Sequence, residues 1–265
     1  MRRPADVLSL FRVTLEFLHS AHSKMTRADV EQYRWHAMID ELAMQRVARE
    51  AILTSAKVAI QQRGQFHIVL AGGNTPRGLY AELSAAQTEW SAWHIYFGDE
   101  RCLPPTDAER NSHMAAQVWL DHVPIPTFQL HPIPAELGAV PAARMYADIL
   151  KMVPIFDFVL LGLGEDGHTA SLFPEHDWGM TPGSPDTLAV LNAPKPPPER
   201  VSLSAARLSR ARKVLFMVDG ESKQQAIADW RAGKDIPAQA IRPAAGVDVL
   251  VTETLLTSSK GYINE

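Results

Sequence analysis

One histidine stands out by its setting. Within residues 156–174, FDFVLLGLGEDGHTASLFP, His168 follows an apolar run and three closely spaced glycines, Gly162, Gly164 and Gly167. Residues 157–161 read as a buried strand, and the glycines as a turn whose backbone can bend sharply and approach a ligand. Thr169 or Ser171 is expected to cap a helix that follows. An imidazole with an ordinary pKa of about 6.5 suits proton transfer near neutral pH. It also stands where open α/β sheets hold their ligands, beyond the carboxyl end of a strand.

A second group of residues suits anions. Residues 66–71, FHIVLA, read as a strand running into Gly72, Gly73, Asn74, Thr75, Pro76 and Arg77. Pro76 fits the first turn of a helix, where its missing N–H costs nothing, with Asn74 or Thr75 as the cap. Such a turn exposes backbone N–H groups at the positive end of a helix dipole. Arg77 adds a two-pronged donor matched to phosphate or carboxylate. The pattern is neither a Walker loop nor a G-x-G-x-x-G fingerprint, so no nucleotide is implied. Residues 93–97, WHIYF, bring Gly98, Asp99, Glu100 and Arg101 to the same edge. These charges read as a network supporting the site, with Arg101 holding Asp99 or Glu100. Lys195 and Arg200 flank a proline run at 196–198, which predicts an extended polyproline segment presenting a stiff pair of cations.

Positioning such loops requires a sheet. The three-and-four spacing of Val30, Tyr33, Ala37, Met44, Ala48, Ala51 and Val58, interrupted at Glu41, predicts one long amphipathic helix, capped by Thr26 and ending near Gly64. Further helices are expected from Asn111 and Ser112 through Leu120, through Ala142 to Leu150, around Leu208, and from Ser222 to Trp230. Strands are expected at 188–191, 201–203, 213–218 and 247–251. Strands alternating with helices at short spacing predict an α/β fold, a mostly parallel Rossmann-like sheet with helices on both faces. Residues 175–184 read as a flexible loop, and the tail after Thr257 as frayed.

The chain of 265 residues is long enough for one sizeable domain, expected to span residues 25–265. Residues 1–24 faintly resemble a secretory leader, but Arg12 and Glu16 interrupt the apolar run. They are expected to be a dispensable extension, either an amphipathic helix or an over-long reading frame with its working start at Met25. Hydrophobic content of 46%, charged content of 21% and a net charge of −4 give no reason to expect nucleic acid as partner. The single cysteine, Cys102, excludes an intrachain disulfide framework and points to a reducing, cytoplasmic setting. No Cys/His spacing suggests a metal, no cofactor is expected, and no apolar run is long enough to cross a membrane.

Several motifs, in a common order across residues 26–256, together resemble the 6-phosphogluconolactonases. They are GGNTPRGLY at 72–80, WHIYFGDERCLPP at 93–105 with Asn111 and Ser112, FDFVLLGLGEDGHTASLFP at 156–174, and PKPPPERVSLS at 194–204. Asn74, where Ser is common in that family, and the N-terminal extension are the departures. The resemblance implies the deaminase, ribose-5-phosphate isomerase and CoA-transferase type of fold. It also implies hydrolysis of a small sugar-phosphate lactone without metal or covalent nucleophile. His168 would be the base that activates water, Asp166 would orient the ring or the water, and Arg77, Lys195 and Arg200 would hold the phosphate and carbonyl end. Related glucosamine-6-phosphate deaminases differ where this chain has Gly98 to Arg101 and Asp166 to Thr169. A sugar-phosphate sensor without turnover is a second alternative, although no helix-turn-helix segment is evident. A serine hydrolase is disfavoured because no G-x-S-x-G elbow is present.

Overall fold

The uninterrupted apolar runs become the middle of a sheet. The computed structural model describes residues 32–181 and 183–257. The chain begins with β1 (Tyr33–Met38), α1 (Glu41–Arg63), β2 (Phe66–Leu70), α2 (Asn74–Ser84), β3 (Trp93–Phe97), β4 (Asp99–Arg101) and α3 (Asn111–Val118). Next come β5 (Leu130–His131), α4 (Ala139–Leu150), β6 (Phe158–Gly162), β7 (Thr187–Val190), β8 (Arg200–Leu203) and α5 (Ala205–Ser209). β9 (Val214–Val218), α6 (Gln224–Arg231), β10 (Val247–Thr252) and α7 (Glu253–Thr257) complete it.

Seven strands pair in the order β1-β10-β9-β6-β2-β3-β5, every neighbouring pair parallel. All five residues of β9, VLFMV, are buried, as a strand covered on both faces demands. Helix α1 packs against β2, β9 and β10. β4, β8 and β7 form a small antiparallel sheet against which α4 packs. The α/β expectation is borne out. From β2 the chain runs outward through β3 to β5, and from β6 it runs the other way through β9 and β10. The strand order therefore reverses between β2 and β6, which opens a crevice at their carboxyl ends.

The predicted long helix is two elements. Residues 33–38 form a strand paired in parallel with β10, and the break seen at Glu41 is the true start of α1. Asp40 caps that helix by accepting from the Ala43 N–H at 2.6 Å, and Gly64 ends it in the left-handed region at φ 75°. Tyr33 and Trp35, spaced two apart, both set their rings edge-on to Trp230, at 5.3 and 5.2 Å. The spacing of Tyr33 and Trp35 is thus the period of two of a strand, not part of a period of 3.6. The expectations for Thr26, residues 1–24 and the tail after Thr257 lie outside the described residues.

No helix follows the glycine turn at 162–167. Residues 168–172 instead make a tight turn with a Thr169–Leu172 bridge. The two expected cap hydroxyls go elsewhere: Thr169 Oγ1 donates to the Gly162 carbonyl at 2.9 Å, and Ser171 Oγ to Asp99 Oδ2 at 2.5 Å. The loop at 175–184 is pinned along part of its length, because Ala205 and Ala206 donate backbone hydrogen bonds to the Trp178 and Gly179 carbonyls.

Candidate active site

A cavity of about 210 Å³ occupies the crevice at the strand reversal. Its wall is built from four strand ends: the loop after β2, Gly98 to Arg101 after β3, the turn after β6, and residues following β9. A larger groove of about 460 Å³ lies between α1 and the segment before β3. It gathers none of the sequence-predicted residues.

His168 lines the cavity, brought there by the turn after β6. Gly164 is required for this placement, because a Cβ at that position would fall 1.9 Å from His168 Nδ1. Gly167 supplies the positive φ of 84° just before it. His168 Nδ1 is in a short hydrogen bond with Asp166 Oδ1, and the His168 backbone N–H also donates to that oxygen, at 3.2 Å. A carboxylate only accepts, so the bond places the imidazole proton on Nδ1 and leaves the Nε2 lone pair open. Burial lowers the pKa of His168, and the bond to Asp166 offsets this only in part. Burial opposes the charge on Asp166, but its bonds to His168 prevail and hold its pKa below the usual range. The imidazole is accordingly neutral near pH 7, as a base must be.

Phe173 links two parts of the site. Its ring is fully buried, lies 4.8 Å from the His168 ring, and has the Arg200 guanidinium carbon 5.4 Å from its centroid. Arg200 does not project from a stiff extended strap. Its Nε and Nη2 donate to the carbonyls of Pro197, Lys195 and Pro196 at 3.0–3.1 Å, so the proline run folds round the guanidinium. Lys195 is paired with Glu165 at 2.7 Å and absent from the cavity wall, though its charge reaches His168 and helps lower that pKa.

Gly72, Gly73, Asn74 and Thr75 line the cavity at the start of α2. Neither Asn74 nor Thr75 is the cap. Gly73 holds that position without a side-chain bond, which leaves the helix-start N–H groups open to an anion. Gly72 abuts Asn111, whose Oδ1 would be 1.9 Å from an added Cβ. Arg77 sits one turn further on, exposed and outside the cavity wall. Arg101, by contrast, lines the cavity with Nε buried and without a hydrogen-bond partner among the described residues.

The supporting network forms with different partners from those expected. Asp99 accepts from Asn111 Nδ2 at 3.0 Å and from Ser171 Oγ. Glu100 is fully buried and accepts from the Asn111 and Ser112 N–H groups at 2.8 Å, anchoring the start of α3. The cation beside Glu100 is Arg110, at 3.2 Å, and Arg101 bonds the Glu109 carbonyl instead. Sequence reasoning missed Lys223 and Asp219, which follow β9 and line the cavity. The available signal was Gly220 to Lys223 directly after a core strand. Ser222 is not the expected helix cap: α6 begins after Lys223 without a side-chain cap. Among the described residues no group of three or more His, Cys, Asp or Glu side chains could hold a metal ion, and no helix is long and apolar enough to cross a membrane.

The family model for glucosamine-6-phosphate isomerases/6-phosphogluconolactonase matches residues 39–251. The chain belongs to that family. It is 37% identical over 227 residues to the 6-phosphogluconolactonase of Mycobacterium leprae, covering 80% of this chain and 90% of the relative. It is 39% identical over 197 residues to that of Synechocystis, covering 71% and 80%. Among solved structures, 6-phosphogluconolactonase from Trypanosoma cruzi superposes with a TM-score of 0.77 at 24% identity, covering 91% of this chain and all of the other. A monomeric glucosamine-6-phosphate deaminase superposes at 0.71 and 17% identity, over 84% of this chain and 99% of the other. The likeness to these two structures concerns the fold alone.

Proposed function

We propose that the chain hydrolyses 6-phospho-D-glucono-1,5-lactone to 6-phospho-D-gluconate, a step of the oxidative pentose phosphate pathway. The observation that carries the reading is the Asp166–His168 pair at the cavity wall, with the imidazole neutral and its Nδ1 committed. Membership of the family and the names of the relatives support the choice of substrate.

Chemically, Nε2 of His168 takes a proton from water as the oxygen attacks the lactone carbonyl. Asp166 stabilises the imidazolium that forms. The tetrahedral intermediate collapses by breaking the bond to the ring oxygen, which receives the proton from Nε2. General base assistance of this kind contributes roughly 10²–10⁴-fold. The phosphate sits against the open N–H groups of Asn74 and Thr75, with Arg101, Arg200 and Lys223 as counter-charges.

A cytoplasmic location belongs to the same reading, supported by the lone cysteine.

The test is a coupled assay in which lactone is generated in place and 6-phosphogluconate is followed by its dehydrogenase. Wild type is expected to accelerate product formation over spontaneous opening, and His168→Ala to lose several orders of magnitude while still binding 6-phosphogluconate. Turnover near wild type in that variant overturns His168 as the base. Release of ammonia from glucosamine 6-phosphate overturns the lactonase reading.

A further inference from the structure

Asp219 is an unexpected group in this cavity. It follows β9, four residues before Lys223, and lines the same wall. One of its oxygens is fixed: Oδ1 accepts from Thr252 Oγ1 at 2.9 Å, across from the end of β10. The other, Oδ2, has no hydrogen-bond donor among the described residues, and Asp219 makes no ion pair there. Asp99, the other carboxylate on the wall, has both oxygens occupied. Asp219 is thus a cavity carboxylate held in one orientation with a vacant acceptor.

A carboxylate repels the phosphate of a sugar phosphate and the carboxylate formed by ring opening. It therefore faces neither end of such a molecule, but the uncharged hydroxyl-bearing middle. A hydroxyl donates one hydrogen, and a fixed anionic acceptor receives it more strongly than a neutral one. Building on the lactonase reading, we propose that Asp219 accepts a hydrogen bond from a ring hydroxyl of the lactone. The bond makes it a specificity determinant for polyhydroxylated substrates. Thr252 is the positioning residue that holds it.

The test compares kcat and KM of wild type, Asp219→Ala, Asp219→Asn and Thr252→Val on four lactones. These are the parent compound and those made by oxidising 2-deoxy-, 3-deoxy- and 4-deoxyglucose 6-phosphate. Wild type should discriminate against at least one deoxy lactone, and Asp219→Ala should lose that discrimination. Its KM for the parent lactone should rise on the order of 10- to 100-fold, the worth of a hydrogen bond to a charged group. Thr252→Val, which removes the bond fixing the carboxylate but keeps its charge, should weaken the discrimination part-way toward that of Asp219→Ala, and unchanged discrimination would remove Thr252 as the positioning residue. Equal discrimination by wild type and Asp219→Ala against all three deoxy lactones overturns the proposal, as does tighter binding of 6-phosphogluconate by Asp219→Ala. Failure of wild type to hydrolyse the parent lactone overturns the activity instead, so the two failures are distinguishable.

Discussion

Arg101 and Arg200 are direct partners across the β4–β8 pair, and both line the cavity. Like charges at opposed positions of a sheet destabilise it. Burial and the Arg101 charge both press the Arg200 pKa below its ordinary value, although Asp99 and Glu109 oppose them. Such a pair is stabilised by an anion between its members. Inorganic phosphate or 6-phosphogluconate should therefore raise the melting temperature of wild type with ligand concentration, and Arg101→Met should lose most of that rise. In turnover, Arg101→Ala should raise KM at least tenfold, and Lys at that position should not restore it, because the fork geometry is lost. Arg77→Ala should leave KM near wild type, since Arg77 is exposed on α2. The same lactone titrations check both variants.

The acid limb of activity should report His168. Its pKa is lowered by burial, so kcat/KM should rise with pH along a limb centred below about 6.5, the ordinary imidazole value. The bond and charge of Asp166 push that pKa upward. Removing the charge in Asp166→Asn should move the limb to still lower pH and depress the plateau, because an amide can donate as well as accept and no longer fixes the proton on Nδ1. A limb that shifts upward in Asp166→Asn contradicts the assigned pair. The pH profiles of both proteins, measured with a non-enzymatic blank at every pH, decide it.

What the sequence revealed divides along a physical line. Parallel core strands were legible because burial on both faces forces continuous apolar runs, as in β9, and β2, β3 and β6 were found for the same reason. β1 was lost because Tyr33 and Ala37, four apart, also fit the helical spacing that continues into α1, and the decisive contacts, of Tyr33 and Trp35, are with Trp230, far away in sequence. His168 was legible from its glycines. That Arg101 rather than Arg77 lines the cavity was not legible, because helix phase, which leaves Arg77 exposed, is not visible in a motif. Lys223 and Asp219 were invisible for another reason: only the sheet order brings the end of β9 beside β6.

Deletion of residues 1–24 should leave folding and turnover unchanged. The family match begins at residue 39, and the cavity is lined by residues from 71 onward. Melting temperature and kcat/KM of the truncated chain should agree with the full chain within error. A drop of several degrees, or a severalfold loss of activity, would show that the segment packs against the domain.

Acid should weaken the fold through a line of histidines remote from the cavity. The His67 and His94 rings stack at 4.8 Å, and His94 Nδ1 lies 3.3 Å from His131 Nε2. Burial lowers all three pKa values, those of His67 and His131 to about 4; His94 adds to the effect at both of these, and at His67 the charges of His131 and Arg207 add to it while Asp157 opposes it. The unfolded chain takes up protons at His67 and His131 below about 6.5, whereas the folded chain does not until about 4. Folding stability should therefore fall as pH drops through that window and level off beneath it. Carboxylates with lowered pKa, such as Asp248 beside His36 and Arg34, lose their contribution at lower pH still. His131→Phe keeps an aromatic ring to stack on Tyr96, which lies 4.4 Å from the imidazole, and removes one titrating group. Urea melts at pH 7 and pH 4.5 should show a smaller loss of stability in His131→Phe than in wild type. An equal loss in the two proteins would assign the acid sensitivity to other groups.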